Sequence, residues 1–528
     1  MGNYSKALEF YEKDLEITKK TLPPIHPSLA TSYNNIGEAY RNMGNYSKAL
    51  EFYDKSLKIR ERSLPPNHPD LAISYNNIGL AYDNMGNYSK ALEFYEKAIK
   101  ILEKSLPPNH PDLATSYNNI GAAYSNIGNY SKALEFYEKA IKIREKALPP
   151  NHPDLATSYS SAGSAYDTMG NYSKALEFYD KLHKIYEKSL LPNHADLATS
   201  YNNIGHVYDN MGNYSKALEL YENAIKILQK SLPPNHPDLA TSYNRIGSLY
   251  DSMGNYSKAL EFYDKSLEIR ENSLPSNHPN LATSYNSIGL AYNNMGNYPK
   301  ALEFYDKSLE IREEALPPNH PDLATSYHSI GLAYNNMGNY PKALEFYDES
   351  VEIREEALPP NHPDLATSYH SIGLANNNMG NYSKALEFYD KSLEIREKSL
   401  PSNHPDLATS YNSIGLAYNS MGNYPKALEF YDKSLEIREK SLPSNHPDLA
   451  TSYNSIGLAN NNMGNYSKAL EFYDKSLEIR ENALPQSHPD LATSYNNIAH
   501  VYDNMGNYLK ALEFYFQQQH RCSVLQHR

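Results

Sequence analysis

The sequence predicts an all-α solenoid of helical hairpins in place of a set of globular domains, and three observations predict it. The 42-residue stretch from Met43 to Asn84, MGNYSKALEFYDKSLKIRERSLPPNHPDLAISYNNIGLAYDN, recurs with small changes from Met1, Met85, Ile127, Met169, Met211, Met253, Met295, Met337, Met379, Met421 and Met463. Apolar residues inside it fall at helical spacing in two runs, separated by a proline-rich break. No segment alternates apolar and polar residues as a strand would. Twelve full copies end at Asn504 and a partial thirteenth opens at Met505, so residues 1–516 read as one array and 517–528 as a divergent tail. Units with such a period hide their apolar faces against their neighbours, so the 528-residue chain needs no single deep core.

Each element of the unit follows from its residues. Met43-Gly44-Asn45 is a turn, with Gly44 free to take the left-handed conformation that ends a helix. A helix runs from about Tyr46 toward Leu64, with Tyr46, Ala49, Leu50, Tyr53 and Leu57 on one face. Glu51 with Lys55, and Asp54 with Lys58, are i,i+4 pairs on exposed faces. Pro299, Pro341 and Pro425 replace the serine after the leading tyrosine in some copies, and proline is tolerated only in a first turn, which marks where the helix begins. Leu64-Pro65-Pro66-Asn67-His68-Pro69 breaks the chain. Asn67 or His68 can cap the next helix, Pro69 suits its first position, and Asp70 complements its positive end. Leu71, Tyr75, Ile78 and Tyr82 form its buried stripe, while Gly79 and Ala81 let a neighbouring helix approach closely. About twenty-five helices result. Three positions look weak: Ala162 replaces a stripe isoleucine, and Asn376 and Asn460 replace a stripe tyrosine. A gap at Ala162 would make residues 155–170 open first, and Ala162→Ile would stabilise by up to ~2–5 kcal/mol if nothing else fills the space.

A net charge of −13 argues against nucleic acid or an anionic membrane as the main partner, and most of the charge, interspersed in every copy, is expected on outer faces. The only cysteine, Cys522, excludes disulfides and cysteine metal sites and suits a reducing compartment. Met1 leads straight into the repeat without a secretory leader, and no apolar run is long enough for a bilayer, so a cytoplasmic location is expected. Nine Asn-Tyr-Ser sequons, beginning at Asn3, read as by-products of repetition. Twelve histidines recur every 42 residues, from His26 and His68 to His488. Packed units lie about 10 Å apart, whereas metal ligands sit about 2 Å from one ion, so helix capping is the expected role. No catalytic constellation stands out, and neither an enzyme activity nor a cofactor is expected.

Tyr75, Ile78-Gly79, Tyr82, Gly86, Tyr88, Ala91, Tyr95 and Ala98-Ile99 stand in the order and spacing of the tetratricopeptide (TPR) motif, with tyrosine where that family usually has tryptophan. The unit has 42 residues where that motif has about 34. The added residues lengthen the second TPR helix and supply the Leu-Pro-Pro-Asn-His-Pro connection. This longer form resembles the repeats of kinesin light chains and nephrocystin-like proteins over residues 1–516. The resemblance implies a right-handed superhelix whose first helices line a concave groove that binds proteins. In this phase the chain starts at the second helix of a unit, which leaves a complete protein and a piece of a longer one both open.

The groove positions implied by the resemblance lie one, five and eight residues after the leading tyrosine. The first is Asn34, Asn76, Asn118, Asn202, Asn244, Asn286, Asn412, Asn454 and Asn496, with Ser160, His328 and His370 in the other copies. A ladder of amides, each both donor and acceptor, can clamp the backbone of an extended peptide; the alternative is that it solvates an exposed face. The second position is Glu38, Leu80, Ala122, Ser164, His206 and Ser248, then Leu290, Leu332, Leu374, Leu416 and Leu458. Those leucines form an apolar stripe for hydrophobic anchors unless neighbouring helices cover them. The third is Asp83, Asp167, Asp209 and Asp251 early, then asparagine at 293, 335, 377, 419 and 461. An acidic N-terminal wall and a neutral, more apolar wall over about 253–504 are expected. Three functions fit: a scaffold for extended peptide segments of partner proteins, a kinesin light chain-like cargo adaptor joined to a motor heavy chain (a cytoskeleton-associated role), and the docking array of a larger enzyme or signalling ATPase.

Overall fold

The turn and the proline-rich break punctuate the chain into helices of two fixed lengths. The computed structural model describes the backbone of residues 4–486 and 488–526 and the side chains of 6–486 and 488–517. Twenty-five helices alternate in it, and no strand occurs among the described residues. Helices of 18 residues start at the tyrosine, as in Tyr46–Ser63, and helices of 16 start at the proline, as in Pro69–Asn84. One of the latter begins at Ala195 instead. His68 caps the second helix, its Nδ1 accepting from the Asp70 N–H at 3.2 Å, and Asn45 Oδ1 accepts from the Lys48 N–H at 3.2 Å. Gly44 has φ +78°, the left-handed conformation required by the turn. The last helix spans Tyr508–Gln526 and so runs into the segment read as a tail. Met1, Asn3 and the side chain of Cys522 lie outside the described residues.

A single close contact fixes each hairpin. The ring of Tyr95 lies flat on Gly79, where a Cβ atom would sit 2.6 Å from it, and the ring is 1% exposed. The same tyrosine–glycine pair recurs from Gly37 and Tyr53 to Gly457 and Tyr473. The final hairpin has Ala499 in place of the glycine, and its Tyr515, on the last helix with no further hairpin packed on it, is only half-buried. Phe94 fills the space between Tyr75 and Tyr82, with ring centroids 6.2 and 5.5 Å away. Successive 16-residue helices touch one another, whereas successive 18-residue helices do not pack together. The 16-residue helices therefore lie on the inner radius of the superhelix.

The charges do not all sit outside. Arg60, at 7% exposure, donates through Nη1 to the Asp70 carbonyl at 3.0 Å and to Ser74 Oγ at 2.8 Å, tying the end of one hairpin to the start of the next. Arg144, Arg270, Arg312, Arg354, Arg396, Arg438 and Arg480 repeat this bond. Leu102 and Leu228 occupy the same place in other copies, so shape is required there and charge is not.

The weak positions behave differently from one another. Ala162 is buried, and Tyr159 and Tyr166 beside it are each 8% exposed where their equivalents, except the buried Tyr495, stay half-exposed. Leu182, in place of the usual serine or alanine, joins the same cluster. Larger neighbours thus occupy the volume expected to be a gap. Asn376 and Asn460 are buried and donate back to Ile372 and Ile456 carbonyls at 2.9 Å. Their hairpins keep one tyrosine against Phe388 and Phe472, Tyr369 at 6.1 Å and Tyr453 at 6.2 Å, and lack the second, closer ring, and the caps at Asn381 and Asn465 make no side-chain bond.

The superhelix closes on itself. The start of Pro321–Asn336 meets the end of Pro69–Asn84, six inner helices earlier. Nε2 of His320 donates to the Asn84 carbonyl at 3.2 Å while its Nδ1 accepts from the Asp322 N–H, which assigns the neutral tautomer. His362, His404 and His446 reach the carbonyls of Asn126, Thr168 and Asn210 at 3.0, 2.9 and 3.2 Å. His278 and His488 face Asn42 and Ser252 in the same way. One superhelical turn is therefore six hairpins, and the second turn rests on the first. Burial holds His278, His320, His362, His446 and His488 below their ordinary pKa, which keeps the bridging tautomer neutral in them.

Two outcomes follow. The combined replacement of His320, His362, His404 and His446 by asparagine keeps a good cap but is too short to bridge, so small-angle scattering should show a longer particle at unchanged helix content; an unchanged maximum dimension would contradict the bridging role. Asn376→Tyr should restore the stack on Phe388 and raise stability by about 1 kcal/mol in denaturant unfolding, and a loss would show that the pocket had closed.

Candidate functional site: the inner wall

The stripe that faces inward on each 16-residue helix carries the positions one, five and eight after the leading tyrosine, and two ladders run along it from helix to helix. In the upper ladder Asn77 Nδ2 donates to Asn34 Oδ1 at 2.7 Å and Asn497 Nδ2 to Asn454 Oδ1 at 2.7 Å. Asn76, Asn118 and Asn202 donate to Ser116, Ser161 and Ser242 at 3.0, 3.1 and 2.8 Å. Asn202 is buried, Asn496 is exposed, and Asn34, Asn76, Asn118, Asn244, Asn286, Asn412 and Asn454 are half-buried. The Oδ1 atoms of Asn76, Asn118, Asn202, Asn244, Asn286 and Asn412 are enclosed without a partner. These amides lie in the seams between hairpins, and offering both their groups to a peptide requires the side chain to swing out. His328 and His370 take the same position, with rings 5.3 Å from Tyr347 and Tyr389, and burial drives each imidazole down to about 3, so both are neutral.

The lower ladder joins the eighth position to the ninth of the next copy. Asn126, Asn210 and Asn294 donate to Asp83, Asp167 and Asp251 at 3.1, 3.1 and 2.9 Å, and Asn336, Asn462 and Asn504 donate to Asn293, Asn419 and Asn461 at 3.2 Å. The donors of this ladder were not singled out from the sequence, although their 43-residue offset from the acceptors is visible in it. Burial pushes the carboxyls of Asp83, Asp209 and Asp251 up to about 6 and raises that of Asp167. The Arg245 guanidinium opposes this at Asp209 and Asp167. His206 stands 3.7 Å from Asp167 but is held down to about 4 by burial and by Arg245, so this contact is not an ion pair at neutral pH.

Leu290, Leu332, Leu374, Leu416 and Leu458 lie between the ladders, each half-buried. Their effect on the tyrosine beneath is the feature that sequence reasoning missed. Ser164 and Ser248, at this position earlier in the chain, hydrogen-bond the hydroxyls of Tyr179 and Tyr263. In the copies with Leu290, Leu332, Leu374 and Leu416, though not in those with Leu80 and Leu458, the tyrosine hydroxyl (Tyr305, Tyr347, Tyr389 and Tyr431) is buried with no partner. Each such orphan costs roughly 1–3 kcal/mol. Among the described residues no group of three or more His, Cys, Asp or Glu is placed to hold a metal ion, and no helix is long and apolar enough to cross a membrane.

A family model of the tetratricopeptide repeat matches residues 1–188, 196–272 and 280–517 in overlapping segments. A crystal structure of a Podosopora anserina putative kinesin light chain with nearly identical TPR-like repeats is 27% identical, covering 39% of this chain and 98% of that one with a TM-score of 0.34. BtubC (BKLC) from P. vanneervenii is 22% identical over 44% of this chain and 95% of its own, TM-score 0.38. A Rap protein complexed with competence and sporulation factor is 17% identical over 71% and 99%, TM-score 0.47. The search of curated proteins gives no match.

Because the folded-state pKa of these aspartates lies above the unfolded value, the folded protein holds the extra protons, and stability falls as pH rises from about 4 through about 6. Replacing Asp83, Asp209 and Asp251 together by asparagine, the residue of the later copies, should flatten that decline. Thermal unfolding at pH 7.5 should show a gain on the order of 1–2 kcal/mol per site after solvent screening. An unchanged pH profile would mean that these carboxyls titrate normally.

Proposed function

This chain belongs to the tetratricopeptide repeat family, and from that premise we propose that it is a non-enzymatic interaction array that binds extended peptide segments of partner proteins along its inner wall. The observation that supports this most is the leucine row. Leu332, Leu374 and Leu416 are half-exposed, so they are not needed to fill the core, yet each leaves a tyrosine hydroxyl without its partner. A stability cost kept at one position on one wall is what a binding surface leaves in a sequence. Leucines one repeat apart, about 10 Å, match every third residue of an extended strand. The peptide therefore presents apolar anchors at that spacing to residues 253–504.

The ladders set the rest of the recognition. Asparagines at the first position, once swung out, meet the peptide backbone and not its side chains. The acidic row at Asp83, Asp167, Asp209 and Asp251 favours a basic stretch of the same partner over the first turn. With the two turns joined through the histidines, a peptide enters along the superhelix axis or after the turns part. Contacts spread over many near-identical units give affinity by addition. A cytoplasmic location fits a peptide-binding array of this composition. The kinesin light chain-like adaptor and the docking array of a larger enzyme are narrower forms of this reading, and co-purification with a motor heavy chain would select the first.

Peptides selected on the wild-type chain from a random library should carry apolar residues three apart. Their affinity, read by fluorescence anisotropy, should fall about tenfold or more in a Leu332→Asp, Leu374→Asp, Leu416→Asp variant. Binding unchanged in that variant removes the proposal.

A further inference from the structure

The contact that joins the two superhelical turns has two faces, and each face is also present uncovered. One face is the Met-Gly-Asn turn at the end of an inner helix. The other is the His-Pro loop at the start of an inner helix six hairpins on. In the first turn the Met-Gly-Asn face is occupied: Gly44, Gly86, Gly128, Gly170, Gly212 and Gly254 lie against proline or histidine of the second turn. In the second turn that face is free. Gly296, Gly338, Gly380, Gly422, Gly464 and Gly506 have no such neighbour, and the methionines from Met295 to Met505 are 40–47% exposed. The loop face shows the reverse. His362 has 8% of its side chain exposed and His404 10%, whereas His68 has 39% and His110 38%. Loop leucines Leu316, Leu358, Leu400, Leu442 and Leu484 are buried, and Leu64, Leu106 and Leu148 of the first turn are not.

We infer that the chain associates head to tail with a second copy of itself, the free loop face of one copy seating on the free Met-Gly-Asn face of the other. The geometry of that interface is already on view, because the contact inside the chain joins the same residue types at the same register. Histidines of the incoming copy would cap their own helices through Nδ1 and donate through Nε2 to the open carbonyls, as His320 does to Asn84. The end helices set the register. With no gap, Tyr508–Gln526 of one copy and Tyr4–Thr21 of the next would compete for a single outer position. A shift of one hairpin removes the clash and pairs Gly338, Gly380, Gly422, Gly464 and Gly506 with the loops at His26, His68, His110, His152 and His194. The two faces differ, so the association is heterologous and does not close; it adds copies without limit along the superhelix axis.

Sedimentation velocity of the 528-residue chain should give a weight-average mass that rises with concentration past the dimer. A Met379→Glu, Met421→Glu, Met463→Glu variant places carboxylates against Asp70, Asp112 and Asp154 of the incoming loops. It should sediment as a monomer with the wild-type circular dichroism and thermal midpoint. That variant keeps its loop face, so mixed with wild-type chain it should add to one end and shorten the oligomers. A monomer at every concentration, or a closed dimer that the variant leaves intact, would overturn the inference, as would mixing that leaves oligomer length unchanged.

Discussion

Everything in this molecule depends on a tyrosine ring laid across a glycine. The pair at Tyr95 and Gly79 leaves no room for a Cβ atom, so the two helices of a hairpin meet at one distance and one angle in nearly every copy. Near-identical hairpins, joined in most copies by the same arginine–serine bond and elsewhere by a leucine of similar shape, add near-identical rotations. Six of them return the chain over its own start, and at that point a histidine that served only as a helix cap acquires a second partner. The closed superhelix is the accumulated consequence of a contact a few ångströms across.

Much of this was legible in the residues. Helix starts at Pro69 and Tyr46, the His68 cap and the left-handed Gly44 follow from local chemistry, and local chemistry is written in adjacent letters. Arg60 could not be told apart from the outer charges, because its partners, Ser74 and the Asp70 carbonyl, become neighbours only after the chain has turned back. The contact between turns was hidden for a deeper reason. His68 and His362 stand in near-identical sequence, yet one is mostly open and the other enclosed. A partner 236 residues away leaves no local trace, and in a periodic sequence the same motif must serve both environments. Ala162 shows the converse: the gap expected from one position was filled by Tyr159, Tyr166 and Leu182 around it.

The inner wall shows where uniformity gives way. Outer surfaces and seams barely change from copy to copy, while the fifth and eighth positions shift from Ser164 and Asp167 to leucine and asparagine halfway along. Each choice carries a local cost: carboxyls held protonated up to about 6 at Asp83, Asp209 and Asp251, and orphaned hydroxyls at Tyr305, Tyr347, Tyr389 and Tyr431. Asparagine at Asp83 or serine at Leu290 would relieve the strain with residues already used elsewhere in the chain. Buried atoms without a partner also occur in the seams, at Nε of Arg144, Arg312, Arg354, Arg438 and Arg480. Only on the inner wall do they follow a change of residue type from one half of the chain to the other, and the proposed peptide contact rests on that change.

The closed superhelix is tested most directly by a distance across the junction of its two turns. Spin labels at positions 89 and 319, which line one cleft between the turns, in a chain with Cys522 changed to serine, report that distance by double electron–electron resonance. A single short, narrow separation is the result expected of turns clasped through the histidines. A broad distribution centred at long distance would mean that the turns stand apart and that the stride of the hairpins does not return the chain to itself.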